Sequence, residues 1–180
     1  MFSSRKNKPF FKKEAFFKKA AFLTFALFLS AGLMFVSCSD KENSGNLNGD
    51  WDDGWGYQMK IDASARTIVY TSNYEATIEN SPDYTASSGA LIIKFTRYAT
   101  NYDGNPVATH VNVGKYGAVY WTELTAGSVK LADAYDKTPP PYGSHAIRAS
   151  LPIAQTDFLP PADKVGNYVD WSIVSPYTKK

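Results

Sequence analysis

The chain has 180 residues, 44% of them apolar, with 19 Lys and Arg against 17 Asp and Glu and a single Cys. One thiol has no partner within its own chain, so a disulfide framework is excluded. That apolar share, with no repeat running through it, also excludes a collagen, a coiled coil and a fully disordered chain.

Composition changes abruptly near Cys38. Residues 1–37 carry seven cations (Arg5, Lys6, Lys8, Lys12, Lys13, Lys18 and Lys19) and one acid, Glu14, a balance of +6. From Cys38 onward 12 cations face 16 acids, a balance of −4. The basic character of the whole chain therefore lies in its leader. Nucleic-acid binding loses its main support, because the folded part is not basic. Behind the cations, Ala20–Val36 runs 17 residues without a charge. Cations followed by such a run are the secretory pattern. Anionic lipid favours keeping the cations on the cytoplasmic side. The run is at the short limit for a membrane-spanning helix.

Phe35-Val36-Ser37-Cys38 closes that run. It resembles a bacterial lipobox, in which a small residue precedes a Cys that becomes diacylated and then N-terminal. Ser37 fits the pattern. Phe35 stands where Leu is usual, a looseness known among spirochaete lipoboxes. The resemblance implies residues 1–37 as a lipoprotein signal peptide and Cys38 as the lipid attachment point. An uncleaved anchor and ordinary secretion are the competing readings. Two acyl chains supply the double anchor that stable attachment needs, at about 0.8 kcal/mol per buried CH₂. Ser39–Asn48 is polar and lacks aromatic residues, so residues 38–48 read as the lipidated Cys and a flexible tether.

Residues 49–180 are enough for one domain with a real core. Tyr57, Met59 and Ile61 alternate with Gln58, Lys60 and Asp62, the period of a half-buried strand. Arg66–Thr71 is β-branched and predicts a second strand. Tyr74, Ala76 and Ile78 alternate with Glu75, Thr77 and Glu79 in a third, which Asn80-Ser81-Pro82-Asp83 breaks. Ala90–Tyr98 carries Leu91, Ile93 and Phe95 on one face. Asn101–Pro106 contains an Asp-Gly turn. Val107–Val113 predicts a fifth strand. Lys115–Trp121 is apolar on both faces, so it is central or closes a barrel. Ser128–Ala132 predicts a seventh strand. Three prolines exclude regular structure from Lys137-Thr138-Pro139-Pro140-Pro141-Tyr142. Ser150-Leu151-Pro152 opens a short helix with Leu151, Ala154 and Phe158 on one face. Asn167–Val174 alternates again, with Val169, Trp171 and Ile173 on one face and Pro176 as its stop. Eight short strands and one short helix predict an all-β fold, a small antiparallel up-and-down barrel.

After Gly49 there are two Phe, 12 Tyr and four Trp. Tyr and Trp join an apolar ring to a polar tip, which suits wet pockets and interfaces as well as barrel filling. Tyr57, Tyr70, Tyr120 and Trp121 are the candidate ligand-lining or rim residues. Tyr120 and Trp121 are adjacent and must point to opposite faces. Trp51 and Trp55 lie four apart, and one of them is expected to plug a barrel end. His110 and His145 are the only histidines, and no spacing supplies a His pair for zinc. Asp50, Asp52 and Asp53 lack the spacing of a calcium loop. No serine elbow or phosphate-cradling loop occurs, and no carboxylate pair is singled out. The chain is therefore expected to bind rather than catalyse, without cofactor or metal. A hydrolase would need His110 or His145 beside a carboxylate and a hydroxyl in one cleft.

Leu47-Asn48-Gly49-Asp50-Trp51 resembles the opening L-x-G-x-W of the lipocalin and wider calycin families, where the Trp closes the barrel floor. With Gly56, Met59 and Ile61 the string is also similar to the opening of avidin-type biotin binders. Where that family carries its first biotin-contacting Asn and Ser this chain has Asp53 and Tyr57, so biotin binding is not implied. Gly114–Trp121, Ser128–Ala134 and Val169–Pro176 look like segments of small treponemal surface lipoproteins, a family of unknown function. The resemblance implies a self-contained calycin-like barrel in the cell envelope, anchored to membrane through Cys38. Its expected partner is a small apolar or aromatic ligand in the barrel. The alternative is a host or envelope macromolecule met by a filled barrel acting as an adhesion module.

Overall fold

The computed structural model describes residues 45–100, 104–136 and 144–180, which belong to one compact unit. The leader 1–37, Cys38, the first part of the tether, residues 101–103 of the predicted turn and residues 137–143 of the proline run lie outside the described residues.

Eight antiparallel strands close a barrel in chain order. They are β1 (Gly49–Asp52), β2 (Gln58–Asp62), β3 (Thr67–Tyr70), β4 (Tyr74–Ile78), β5 (Gly89–Tyr98), β6 (Tyr116–Thr122), β7 (Ser128–Asp133) and β8 (Pro176–Lys179). Closure comes from β8, which pairs with β7 on one side and β1 on the other, placing Lys179 opposite Trp51. Among the described residues no strand edge is left open. Strand alternation becomes barrel filling. Met59 and Ile61, Ala76 and Ile78, Leu91, Ile93 and Phe95, Val119 and Trp121, and Val129 and Leu131 all belong to one buried cluster. Burying a side chain of the Leu or Phe class stabilises by about 1.5–3 kcal/mol, so this cluster dominates the fold.

The β5–β6 pair is apolar on both faces because its outer face is also covered. Ala90, Ile92, Ala118 and Tyr120 pack there with Ala154 and Phe158 of α1 (Leu151–Phe158). A second helix, α2 (Pro161–Tyr168), follows at once with proline in its first turn, where the missing N–H costs no hydrogen bond. Arg148 fastens this layer. Its guanidinium pairs with Asp157 of α1, reaches Asp136 and the Tyr168 hydroxyl at 3.3 Å, and lies 5.2 Å from the Phe158 ring.

Three expectations need correction. Val107–Val113 is not a strand. Only Val107 bridges Tyr98, and the Val113 N–H then donates back to the His110 carbonyl in a turn. Its β-branched residues find no free edge, because β5 already has β4 and β6 as neighbours. Asn167–Val174 is not the closing strand either. Asn167 and Tyr168 end α2, and the Asp170 carboxylate accepts from the Ser172 N–H and hydroxyl, which builds a turn. Pro176 begins β8 rather than stopping it, as first-position proline is permitted to do. Packing also starts earlier than the tether reading has it. Leu47 is fully buried and its N–H donates to the Tyr84 carbonyl at 2.8 Å.

Antiparallel order gives the barrel two unlike ends. We call the floor the end where residues 45–48 enter and where the β2–β3, β4–β5 and β6–β7 connections turn. The mouth is the opposite end, carrying the β1–β2, β3–β4, β5–β6 and β7–β8 connections.

Candidate functional site

The four candidate residues do not share a wall. Trp121 belongs to the barrel interior, 2% exposed, and its indole N–H donates to the Ala86 carbonyl at 2.9 Å. Its ring lies on Gly89 across the sheet, where a Cβ would fall 2.2 Å from the indole, so only glycine leaves room. Tyr120 points outward as its neighbour points in. It is buried under α1, and its hydroxyl donates to the Phe158 carbonyl at 3.2 Å. Tyr57 and Tyr70 do meet, ring edge to ring face at 6.3 Å, on the mouth side. Trp51 plugs the floor. It is fully buried, donates from its indole N–H to the Leu47 carbonyl at 2.8 Å, and carries the Lys179 ammonium 5.2 Å from its ring.

From Tyr70 an aromatic and polar cluster continues across the mouth. Tyr70 packs edge-on against Tyr74 at 5.6 Å, and Tyr74 against Phe95 at 5.2 Å. At its centre lies Asp133, the only buried acid or base among the described residues, at 6% exposure. The Tyr74 hydroxyl donates to Asp133 Oδ1 at 2.5 Å. His145 Nε2 stands 3.3 Å from Asp133 Oδ2 and 3.2 Å from the Tyr135 hydroxyl. His145 Nδ1 meets the Tyr98 hydroxyl. With its proton on Nε2 the ring donates to the carboxylate and leaves Nδ1 to accept from Tyr98. Tyr98 is further stacked on His110 at 4.7 Å.

The electrostatics follow from burial beside a carboxylate. Burial first, then the Asp133 charge and hydrogen bond, push the Tyr74 hydroxyl well above its usual range. Burial first, then the Asp133 charge, push Tyr98 up to about 12 against a hydrogen bond with Asn112 that lowers it. Burial likewise raises Tyr177 on β8. These phenols stay neutral donors at any physiological pH. The His-carboxylate-hydroxyl constellation of acid–base chemistry is present in outline, but each polar atom in it is committed to another member of the cluster. The neighbourhood of Asp133 was readable in principle. Val129, Leu131 and Asp133 alternate onto one face of β7, which places a carboxylate among inward residues.

The β1–β2 connection builds a second feature of the mouth. The Asp52 carboxylate accepts from the Gly54 N–H at 2.7 Å, and that of Asp53 from the N–H groups of Trp55 at 2.7 Å and Tyr57 at 3.1 Å. Gly54 and Gly56 take the left-handed φ values of 80° and 106° that a side chain resists. Trp55 between them is 83% exposed. The crowded aspartates thus build turns and pair with cations, Asp50 with Lys60 at 3.7 Å and Asp52 with Lys180 at 2.7 Å. On the outer face of β1–β3 lies a groove of about 180 Å³ lined by Asp50, Gln58, Met59, Lys60, Val69 and Thr71.

Among the described residues, no group of three His, Cys, Asp or Glu converges as a metal site, and no helix is long and apolar enough to cross a membrane. Comparison of the chain with family models, with curated proteins and with solved structures finds no match.

Proposed function

We propose that the chain is an exported, lipid-anchored envelope protein whose barrel is a non-catalytic binding module, working through the surface of its mouth. One contrast carries this reading. The barrel axis is occupied by packed side chains, whereas the most exposed large apolar side chains among the described residues, Trp55, Val111 and Ile173, stand 83%, 72% and 67% exposed on three connections of the mouth side. Exposed large apolar side chains mark an interaction site where they share one patch.

The anchor reading gives the domain a point of attachment. Cys38 precedes Gly45 by seven residues, and Gly45–Asn48 enter at the floor. Seven residues span at most about 25 Å. An acylated Cys38 would thus tether the domain from the side where Gly45–Asn48 enter. The resemblance to treponemal surface lipoproteins supports the same location.

Two measurements test the proposal. Cys38→Ala abolishes fatty-acid labelling and releases the protein from membranes; unchanged labelling ends the anchor reading. Replacing Trp55, Val111 and Ile173 together by Ser lowers retention on envelope or host-surface preparations while the Tm holds. A small molecule co-purifying in native mass spectrometry, with retention unaffected by the triple change, would instead restore the carrier.

A further inference from the structure

The only two histidines of the chain, His110 and His145, meet on one ring. His110 stacks on the face of Tyr98 at 4.7 Å, and His145 stands edge-on to it at 5.6 Å. Each also accepts a hydrogen bond through Nδ1, His145 from the Tyr98 hydroxyl and His110 from the Asn112 backbone N–H at 3.1 Å. A ring nitrogen accepts only while it carries no proton. Imidazole is the one side chain that ordinarily changes charge between about pH 5 and pH 8.

These bonds run in one direction. The Asn112 side chain hydrogen-bonds Tyr98 in the sense that favours the phenolate, so its amide N–H donates. The Tyr98 hydroxyl donates to His145, and His145 Nε2 donates to the buried Asp133 carboxylate 3.3 Å away. Around His145 stand Tyr74 of β4, Tyr98 of β5, Asp133 of β7 and Tyr135 just beyond it, while His110 faces Tyr98. Tyr74 and Tyr98 stay neutral where imidazole titrates. A second proton on His145 leaves the inner end of the relay intact, because Nε2 still donates to a carboxylate whose charge favours the imidazolium. At the outer end Nδ1 becomes a donor facing a donor, and the Tyr98 hydroxyl can turn away only if the Asn112 amide turns too. At His110 the opposing donor is a backbone N–H, which has no second direction. The Tyr98 face attracts a charged imidazole weakly but replaces no acceptor. Both charges act on the same piece of chain. Residues 107–114 join β5 at their two ends by bonds that do not titrate, between Val107 and Tyr98 and from the Gly114 N–H to the Phe95 carbonyl at 2.8 Å. Between those ends His110 and Asn112 rest on Tyr98, and Val111 stands 72% exposed.

We propose that residues 107–114 are a proton-operated latch on the barrel mouth, docked on Tyr98 while His110 and His145 are neutral and released, with Val111, when they take up protons. The barrel itself stays closed, since the relay breaks on its outer side. The latch needs neither lipid nor binding partner, so it stands or falls apart from the binding role of the mouth. Hydrogen exchange of the full chain in mild detergent, corrected for its intrinsic pH dependence, tests it between pH 7.5 and pH 5.5. Protection of residues 107–114 should fall by about tenfold while that of β2 and β6 holds. His110→Asn combined with His145→Gln keeps an acceptor at each place without a titrating group, and should leave protection flat over the same range. In the parent, the ring-proton NMR shifts of at least one histidine should titrate with the midpoint of the release. Protection that ignores pH overturns the latch, as does a loss spread evenly over the strands or a midpoint shared with neither histidine. Acid release that persists in the double variant overturns it as well. If that variant does not fold, the midpoints measured in the parent decide alone.

Discussion

The two ends of the barrel solve the same problem with different chemistry. At the floor, Trp51 and Trp121 each bury a ring and give their single polar atom to a backbone carbonyl, of Leu47 and Ala86. Neither of those hydrogen bonds involves a group that titrates. At the mouth, Tyr74, Tyr98 and His145 satisfy their polar atoms on one another and on a buried carboxylate. The difference teaches that aromatic content alone does not set an end's character. What matters is whether its hydrogen bonds end on fixed carbonyls or on groups that gain and lose protons.

The largest expected effect is at the floor. Trp121→Ala empties the space between β5 and β6 and should lower stability by about 4 kcal/mol. Denaturant unfolding checks it, and the loss should not vary with pH. At the mouth, Asp133→Ala removes the acceptor shared by Tyr74 and His145 and leaves both buried without it. About 3 kcal/mol should be lost, and Asp133→Asn should recover part of this because Oδ1 survives as an acceptor. Equal losses in the two Asp133 variants would mean that the charge, not the acceptor, holds the mouth together.

Tyr74→Phe is smaller, about 1–2 kcal/mol at neutral pH, since one donor to the carboxylate goes while the ring stays. Its pH dependence is more telling. Tyr74 and Tyr98 have folded values above the ordinary 10.0, so the unfolded chain releases these protons first as pH rises. The stability they contribute is whole below pH 10 and drains above it, for Tyr98 up to about 12. Urea midpoints should therefore fall on alkalinisation beyond pH 10. The fall should be shallower in Tyr74→Phe, so the gap between variant and parent narrows there.

Much of the barrel wall and little of the mouth cluster was legible in the sequence. Met59 and Ile61, or Leu91, Ile93 and Phe95, alternate against polar neighbours, and a strand pattern of that kind specifies its own inward face. Trp51 and the helix from Leu151 carried equally local signals. Val107–Val113 misled because β-branched residues state a preference for strands but not whether a partner edge exists. Asn167–Val174 misled because Val169 is indeed buried and Trp171 partly so, though against the helical layer outside the barrel. The mouth cluster joins Tyr74 to Asp133 across 59 positions and Tyr98 to His145 across 47. Such contacts exist only once the barrel closes.

The smallest expected effect tests closure itself. Lys180 follows β8, and its ammonium reaches Asp52 of β1 at 2.7 Å. The Lys180 hydrogen bond first, then that of the Gly54 N–H, hold the Asp52 carboxyl below its ordinary 3.8. A lowered acid contributes stability that is complete above the unfolded value and disappears as pH falls through the folded one. Lys180→Ala should thus lower the urea midpoint slightly at pH 7, because the pair is exposed and screened. The two proteins should converge as pH falls below 3.8 and through the lowered folded value, where the carboxyl is protonated in the folded chain too. No gap at pH 7 would mean that Lys180 holds β8 through its backbone, whose N–H donates to the Asp50 carbonyl at 3.0 Å and survives in the variant, and not through its charge. The barrel's last seam would then be held, like its floor, by bonds that do not titrate.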